Sequence, residues 1–431
     1  MNYCARCLYP ANHPLRLTFD DEGVCSGCRV HEEKDRLDWT ERFEKLKALV
    51  AGYRSKIRTV HDCIVPVSGA RDSHFIVHTV KERLGLRPLL VAYNKHYNTQ
   101  VGIRNLAYLR SLAGCDIMSS IASPDKVKRV TRETLRLRGS MYWHCLAGET
   151  AFPVQVAVKF KIPLIIWGAH QGVDQVGMFS HEDEVEMTRK YRQEHDLMDL
   201  DEQALLAQAP ALKESDIEPF RYPHDKELEA VGVRGIYLNN YLRWDSKAQH
   251  EAMIGRYGYE PALQKRTFDT YNDVDSFHYS GLHDWIKFLK WGYGKASDHA
   301  SREIRLKRMT REQGIEMVRR YEGVAPGDMP LFLEWIGMSE SELLAHVDRF
   351  RDPRIWRREG EAWVLLDSTT AHEADEGIEQ AKLDASGTCQ FRLGPSRAPE
   401  VADDRYVLIG RGWADGWTPP MPAPDPARSV S

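Results

Sequence analysis

The stretch Ile64-Val65-Pro66-Val67-Ser68-Gly69-Ala70-Arg71-Asp72-Ser73-His74-Phe75 reads as an apolar strand, a turn of small and polar residues, and the start of a helix. Such turns are where α/β proteins hold phosphate. Successive backbone N–H groups close on the anion, the helix dipole attracts it, and here the Ser68 and Ser73 hydroxyls add donors. No Gly-Lys-Thr follows, so the turn is not a Walker loop, and no third glycine follows as a dinucleotide fingerprint requires. An acidic group beside phosphates is repulsive unless a cation intervenes, so Asp72 is expected to serve as a Mg²⁺ bridge, a helix N-cap, or both. If position 70 needs a left-handed backbone, the Ala70 methyl costs roughly 1 kcal/mol.

Outward from this turn, strand-like runs recur at Cys63–Val67, Leu89–Tyr93 and Leu164–Trp167, with helical stretches at Ser73–Leu84 and Val101–Leu112 between them. The alternation predicts an α/β fold with a parallel sheet, and ligands at the carboxyl ends of its strands. Asn94 after the second strand and Gly168 after the third become nucleotide or substrate neighbours on that logic. Gly235–Leu238 reads as a further strand. His31–Tyr53 suits an amphipathic connecting helix, and 181–218, rich in Glu, Gln, Leu and Ala, reads as an inserted helical segment. Thr310-Arg311-Glu312-Gln313 and Ser339-Glu340-Ser341-Glu342 are capping-box sequences and predict two helix starts. Beyond Asp367 the chain turns to Ala, Gly, Pro, Asp and Ser, which predicts a flexible tail in which Tyr406–Ile409 could pair as an edge strand.

Of the eight cysteines, Cys4, Cys7, Cys25 and Cys28 form two Cys-x-x-Cys pairs near the N-terminus. This is zinc-ribbon spacing, with four thiolates around one tetrahedral Zn²⁺. Four sulfur ligands leave no open position, so the metal is expected to be structural. The chain has 431 residues, 42% apolar and 28% charged, with a formal net charge of −4. Its longest apolar run is too short to cross a bilayer and no secretory leader is evident, so a cytoplasmic, membrane-free protein is expected. The acidic balance disfavours a nucleic-acid partner.

Two further constellations could carry chemistry. Trp143-His144-Cys145-Leu146-Ala147-Gly148 sets a thiol beside an imidazole, although neighbours on one chain rarely point at each other, and Cys145 is expected to line a pocket. From Lys287 to Arg311 there are eight Lys or Arg. With Gly292 and Gly294 nearby, this predicts a basic, close-approach surface for the phosphates of a nucleotide-linked substrate.

Taken in order, the cysteine pairs, the Ser68-Gly69-x-x-Asp72-Ser73 turn, His144-Cys145-x-Ala147-Gly148, Ile165-Ile166-Trp167-Gly168, His283–Tyr293 and Ala296–Arg305 resemble the N-acetyl sugar amidotransferases. That family belongs to the ATP-pyrophosphatase superfamily, whose loop reads Ser-Gly-Gly-x-Asp-Ser. The resemblance runs from Cys4 to about Asp367. It implies an adenine-nucleotide α-hydrolase-like domain at 36–310, preceded by a zinc ribbon at 1–35, followed by a helical part at 311–366 and an extension at 367–431 outside the resemblance. It also implies an ATP-dependent, AMP- and pyrophosphate-forming enzyme that turns an acetamido group of a nucleotide-linked sugar into an acetamidino group in surface-polysaccharide biosynthesis. ATP and pyrophosphate would bind at Val67, Ser68, Gly69, Ala70, Arg71, Asp72, Ser73, Asn94 and Gly168. Asp72, Arg71 and Asp298 are the catalytic candidates. His144, Cys145, His283, Lys287, Lys290, Arg302 and Arg305 are the substrate candidates. No glutaminase nucleophile elbow is present, so ammonia is expected from a partner glutaminase. The chain departs from the family at Ala70, where the loop has its second glycine, and at Ala169, where similar proteins have glutamate. An RNA thiolase, or a nucleotide-binding partner without catalysis, are the competing readings.

Overall fold

A computed structural model of the protein describes residues 1–54, 61–70 and 72–375. The cysteine pairs come first and lead into α1 (Ser26–Glu33), which ends before α2 (Trp39–Ala51). The single connecting helix expected over His31–Tyr53 is thus two helices. Asp38 breaks it by accepting the N–H groups of Thr40 and Glu41 and starting a new N-terminus.

An alternating segment follows: β1 (Cys63–Pro66), α3 (Ser73–His78), β2 (Pro88–Tyr93), α4 (Gln100–Ala113), β3 (Ile117–Ser120), α5 (Pro124–Arg138), α6 (Trp143–Phe160), β4 (Leu164–Trp167) and α7 (Gln171–Asp174). Residues 181–218 are helical in character, as expected, but in short pieces and not as one long helix. They fold as short turns and pieces, among them α8 (Arg189–Tyr191), α9 (Glu202–Gln208) and α10 (Glu214–Ile217). Capping groups interrupt them, Thr188 on the Tyr191 N–H and Asp201 on the Ala204 N–H. Next come α11 (Asp225–Val231), β5 (Arg234–Tyr237), α12 (Ser246–Tyr257), α13 (Leu282–Trp291), α14 (Lys295–Arg305), α15 (Arg311–Tyr321), α16 (Met329–Ile336) and α17 (Glu340–Asp348). Thr310 and Ser339 both make reciprocal capping boxes, as their sequences predict. The chain then adds an antiparallel hairpin of β6 (Trp356–Glu359) and β7 (Ala362–Leu365), which turns at left-handed Gly360.

The main sheet is parallel throughout, in the order β3-β2-β1-β4-β5, so the fold is α/β. β3 went unread in the sequence because its short, half-exposed Ile117-Met118-Ser119-Ser120 lacks an apolar run. The central strands are apolar on both faces, as a sheet covered on both sides requires. One face packs on α2, α3 and Trp244 through Val65, Leu90 and Ile166, and the other packs on α6 through Ile64, Val91 and Ile165. Strand order reverses between β1 and β4. Their carboxyl ends therefore diverge into a crevice, the place where open α/β sheets bind ligands.

The expected flexible tail needs correction over 367–375. His372 pairs with Asp367 at 2.7 Å, lies tilted against the Tyr3 ring with centroids 4.5 Å apart, and offers its carbonyl to Arg311 at 2.9 Å. These contacts tie the segment to the N-terminal ribbon and α15. The rest of the tail, including Tyr406–Ile409, lies outside the described residues. Among the described residues no helix is long and apolar enough to cross a membrane.

Candidate functional site

The turn after β1 closes on itself through its serines. Ser73 Oγ accepts the Ser68 N–H at 2.9 Å and donates to the Ala70 carbonyl at 2.8 Å, while Ser68 Oγ donates to the same carbonyl at 3.0 Å. Both hydroxyls thus hold the turn's shape. Val67 keeps it in the sheet by donating to Val91 O at 2.9 Å. The left-handed residue among the described part of the turn is Asp72, with φ 63°, not Ala70. The strain expected at Ala70 does not arise, because its backbone is not left-handed, and its methyl packs in an apolar cluster with Val101, Met253, Tyr259 and Val274. Arg71 lies outside the described residues.

Gly69 earns its place through contact. A Cβ there would overlap the backbone of Gly102 at the start of α4, and a Cβ at Gly102 would overlap Asp275. Three backbone segments are pressed together, with the α4 N-terminus held between the turn and Asp275. Gly102 escaped the sequence reading, although its place just after the capping Thr99 marked a helix start.

Asp72 does not cap α3 with its side chain. Its Oδ1 instead lies 3.6 Å from Nε2 of His250. His250 Nδ1 is 2.6 Å from the Ser246 carbonyl, which can only accept, so Nδ1 carries the proton. In the neutral imidazole, Nε2 then presents a lone pair to the carboxylate, and neither atom has a hydrogen-bond partner. A shared proton or a bound cation stabilises such a pair. Burial raises the Asp72 pKa above the usual carboxylate range, Asp273 and Asp174 add to the rise, and His250 and Arg302 oppose it. Of the two roles expected for Asp72, the geometry fits a cation-facing carboxylate.

Around this point the carboxyl ends of the strands carry paired charges. Lys95, after β2, sits 3.0 Å from both Glu149 and Asp275. Lys34 reaches Asp174 at 2.5 Å, and Lys295 reaches Asp273 at 3.1 Å. Arg302 binds Asp269 at 2.6 Å and Glu303 at 2.9 Å. A small cleft of about 10 Å³ lies here, walled by Lys34, Asp174, Trp244, Ser246, Arg302 and Arg305. Asn94 shapes the β2 exit by accepting the His96 N–H and Asn98 Nδ2, each at 2.9 Å. Gly168, at the β4 exit, packs so close to Ile76 and Trp244 that a Cβ would crowd both. Ala169 follows it, packed against the apolar cluster on the β1 side.

The basic stretch differs from expectation. All eight cations between Lys287 and Arg311 are engaged by groups of the chain itself, because acids from distant elements fold in against them. Lys287 pairs with Asp298 at 2.7 Å and lies over the Tyr293 ring. Burial works to raise the Asp298 pKa, but Lys287 and Lys295 hold it down, to about 2. Lys290 donates to the Arg138 carbonyl at 2.8 Å, and burial, with Arg138 nearby, lowers its pKa to about 8. Lys307 binds Asp35, Arg308 binds Glu303 and Asp245, and Arg311 donates to the Cys7 carbonyl. Gly294 closes on the Asp284 and Glu322 carboxylates, which also take the first N–H groups of α14. The surface expected to meet phosphate is therefore reduced to Arg302 on the cleft wall, since the Arg305 nitrogens are taken up by cysteine sulfurs and the Gln175 carbonyl.

His144 and Cys145 do meet despite their adjacency, with Nε2 3.4 Å from Sγ, but both are buried, and Cys145 lies in the core cluster rather than lining an open pocket. Burial lowers the His144 pKa and keeps the ring neutral. His283 stacks on Tyr142 at 4.7 Å, in the packing between α6 and α13.

The four N-terminal sulfurs lie within 4.8 Å of one another and are fully buried. Cys4 and Cys28 are 3.9 Å apart, and Cys7 and Cys25 are 3.6 Å apart. A tetrahedron of thiolates on zinc has edges of about 3.8 Å, given Zn–S bonds of about 2.3 Å. The donor set and its spacing fit Zn²⁺ in a closed, structural site.

Residues 265–370 match a family model described as LPS biosynthesis protein WbpG-like, C-terminal domain. No curated protein matches the sequence. A solved structure that aligns with the chain is that of NMN synthetase from Francisella tularensis, at 12% identity and a TM-score of 0.26, covering 53% of this chain and 98% of that one. At that TM-score the likeness fixes no correspondence between residues.

Proposed function

We propose that the protein is an ATP-consuming enzyme that adenylates the carbonyl oxygen of an acetamido group on a sugar and replaces that oxygen with nitrogen. The observation that carries the reading is the small-residue turn that follows β1 at the β1/β4 crevice, with the buried Asp72 carboxylate beside it facing His250, and with Lys34 and Arg302 on the wall of a neighbouring cleft. The match of 265–370 to a WbpG-like domain of lipopolysaccharide biosynthesis supports a saccharide substrate.

An amide carbonyl is a poor electrophile with a poor leaving group. Attack of its oxygen on the α-phosphate of ATP breaks the bond to the β-phosphate, releases pyrophosphate and leaves an O-adenylyl imidate. Ammonia then adds to the imidate carbon, AMP departs with the oxygen, and loss of a proton leaves the amidine. The chain's part is to hold charge in place. Backbone N–H groups of the turn would bind the departing pyrophosphate, and Arg302 and Lys34 would offset its charge. Asp72 would hold Mg²⁺, which supplies charge neutralisation at the phosphates. Asp298, locked to Lys287, would position the α13 and α14 wall.

The nitrogen source proposed is ammonia from a separate glutaminase subunit, because Cys145 is buried within α6. RNA thiolation would need an accessible sulfur carrier. Among the described cysteines outside the metal cluster, Cys63 and Cys145 are buried and Cys115 is half-buried. The test is to incubate the protein with Mg-ATP, ammonium and UDP-linked acetamido sugars. Substrate-dependent AMP and replacement of the carbonyl oxygen by NH are expected, and no AMP with any acetamido sugar would overturn the reading.

A further inference from the structure

Arg305, the last residue of α14, is buried among sulfur atoms. Its Nε lies 3.4 Å from Cys28 Sγ, and one terminal nitrogen lies 3.5 Å from Cys25 Sγ and 3.8 Å from Cys7 Sγ. The other terminal nitrogen donates to the Gln175 carbonyl at 2.5 Å, just beyond α7. Its guanidinium also lies over the Tyr9 ring at 5.1 Å. Among the described residues no carboxylate pairs with it. A buried guanidinium cannot shed its proton, so its counter-charge must come from the thiolates.

The fourth sulfur is served differently. Cys4 Sγ accepts the backbone N–H groups of Arg6 and Cys7, each at 3.4 Å, and of Cys25 at 3.3 Å. Backbone amides thus cover one thiolate, and Arg305 covers the other three. A Zn²⁺ with four thiolates carries a net charge of about −2, and burying it in a protein is costly without such donors.

The sequence between the second pair of cysteines is shaped to admit this contact. A Cβ at Gly27 would collide with the Arg305 guanidinium and the Gln175 carbonyl. Gly177, at φ 63°, closes on the Ser26 backbone from the other side, and Ser26 Oγ donates to the Val176 carbonyl at 2.7 Å.

We infer that Arg305 is an outer-sphere partner of the four-thiolate metal centre, damping the reactivity of Cys7, Cys25 and Cys28 while joining the ribbon to the β4–α7 connection and to α14. It is a positioning residue. One turn earlier on the same helix stands Arg302, so the metal centre holds the cleft wall in place through Arg305. The metal part of this inference is independent of which substrate the cleft takes.

The test uses zinc-loaded full-length protein and its Arg305→Met, Arg305→Lys and Gly27→Ala variants. Zinc affinity is read by chelator competition, and thiolate reactivity by zinc release during alkylation with N-ethylmaleimide. Arg305→Met should weaken zinc binding by about 10-fold or more and speed release by a similar factor, as loss of an outer-shell partner does. Arg305→Lys, keeping the charge without the fork, should recover part of both. Gly27→Ala, which displaces the guanidinium without removing it, should resemble Arg305→Met. In the cobalt-substituted proteins, the thiolate-to-metal charge-transfer band should move to lower energy in Arg305→Met while the tetrahedral pattern persists, a change that general destabilisation would not produce. Unchanged zinc affinity, release rate and band position in Arg305→Met and Gly27→Ala would overturn the inference.

Discussion

Asp72 Oδ1 and His250 Nε2 face each other at 3.6 Å with no hydrogen bond between them, beside the turn that ends β1. Because burial raises the Asp72 pKa, the folded protein holds this proton more tightly than the unfolded chain. The group's contribution to stability is therefore greatest below its unfolded pKa and declines as pH rises through the folded value. Asp72→Asn should remove that decline, so the ligand-free variant should melt higher than the parent at neutral pH and lose its advantage in acid. Its rate of AMP formation should fall on the order of 10²-fold, as expected when a group aimed at transition-state charge is removed. Thermal scans across pH, paired with an AMP assay, check both halves.

The Gly69, Gly102 and Asp275 contact predicts that size matters more than chemistry at the turn. Gly102→Ala should cost roughly 1–3 kcal/mol, the usual range for overpacking, and should weaken binding of Mg-ATP. Ala70→Gly should change stability by no more than about 1 kcal/mol, because Ala70 lies in an apolar cluster without left-handed strain. Differential melting with and without Mg-ATP separates these outcomes.

These two sites also show how far the sequence was legible. The Ser68–Ser73 turn, the cysteine pairs and both capping boxes could be read because each is a local device whose spacing is its geometry. β3 could not, since a short edge strand ending in Ser119-Ser120 has no apolar pattern to announce it. Nor could the fate of the basic stretch, where Lys287, Lys295 and Arg302 meet Asp298, Asp273 and Asp269 only after folding. His250 and Lys34 gave no local sign at all. They reach the site from α12 and from the end of α1, and tertiary packing alone brings them there.

Asp298 is held near a pKa of about 2 because Lys287 and Lys295 outweigh its burial. A carboxylate depressed in this way lends stability above its unfolded pKa and loses it as pH falls toward the folded value. Lys287→Met should remove up to about 3 kcal/mol at neutral pH by leaving a buried carboxylate short of its partner, and the deficit should shrink in acid as Asp298 protonates. Denaturant unfolding at neutral and acidic pH measures both.

Removing zinc should release the ribbon from α14, since binding energy at a structural zinc site is folding energy. Chelation under reducing conditions should lower the melting temperature and weaken Mg-ATP binding, and added Zn²⁺ should restore both. Calorimetric titration of ATP into metal-free and reloaded protein reads the effect.

In the proposed reaction, the oxygen removed from the sugar's amide leaves on AMP. An acetamido sugar nucleotide labelled with heavy oxygen at the amide carbonyl, incubated with the protein, Mg-ATP and ammonium, tests it directly. AMP carrying the label and an unlabelled amidine, in equal amounts, are expected. Unlabelled AMP formed alongside that product, or an amidine formed with ADP in place of AMP, would contradict it.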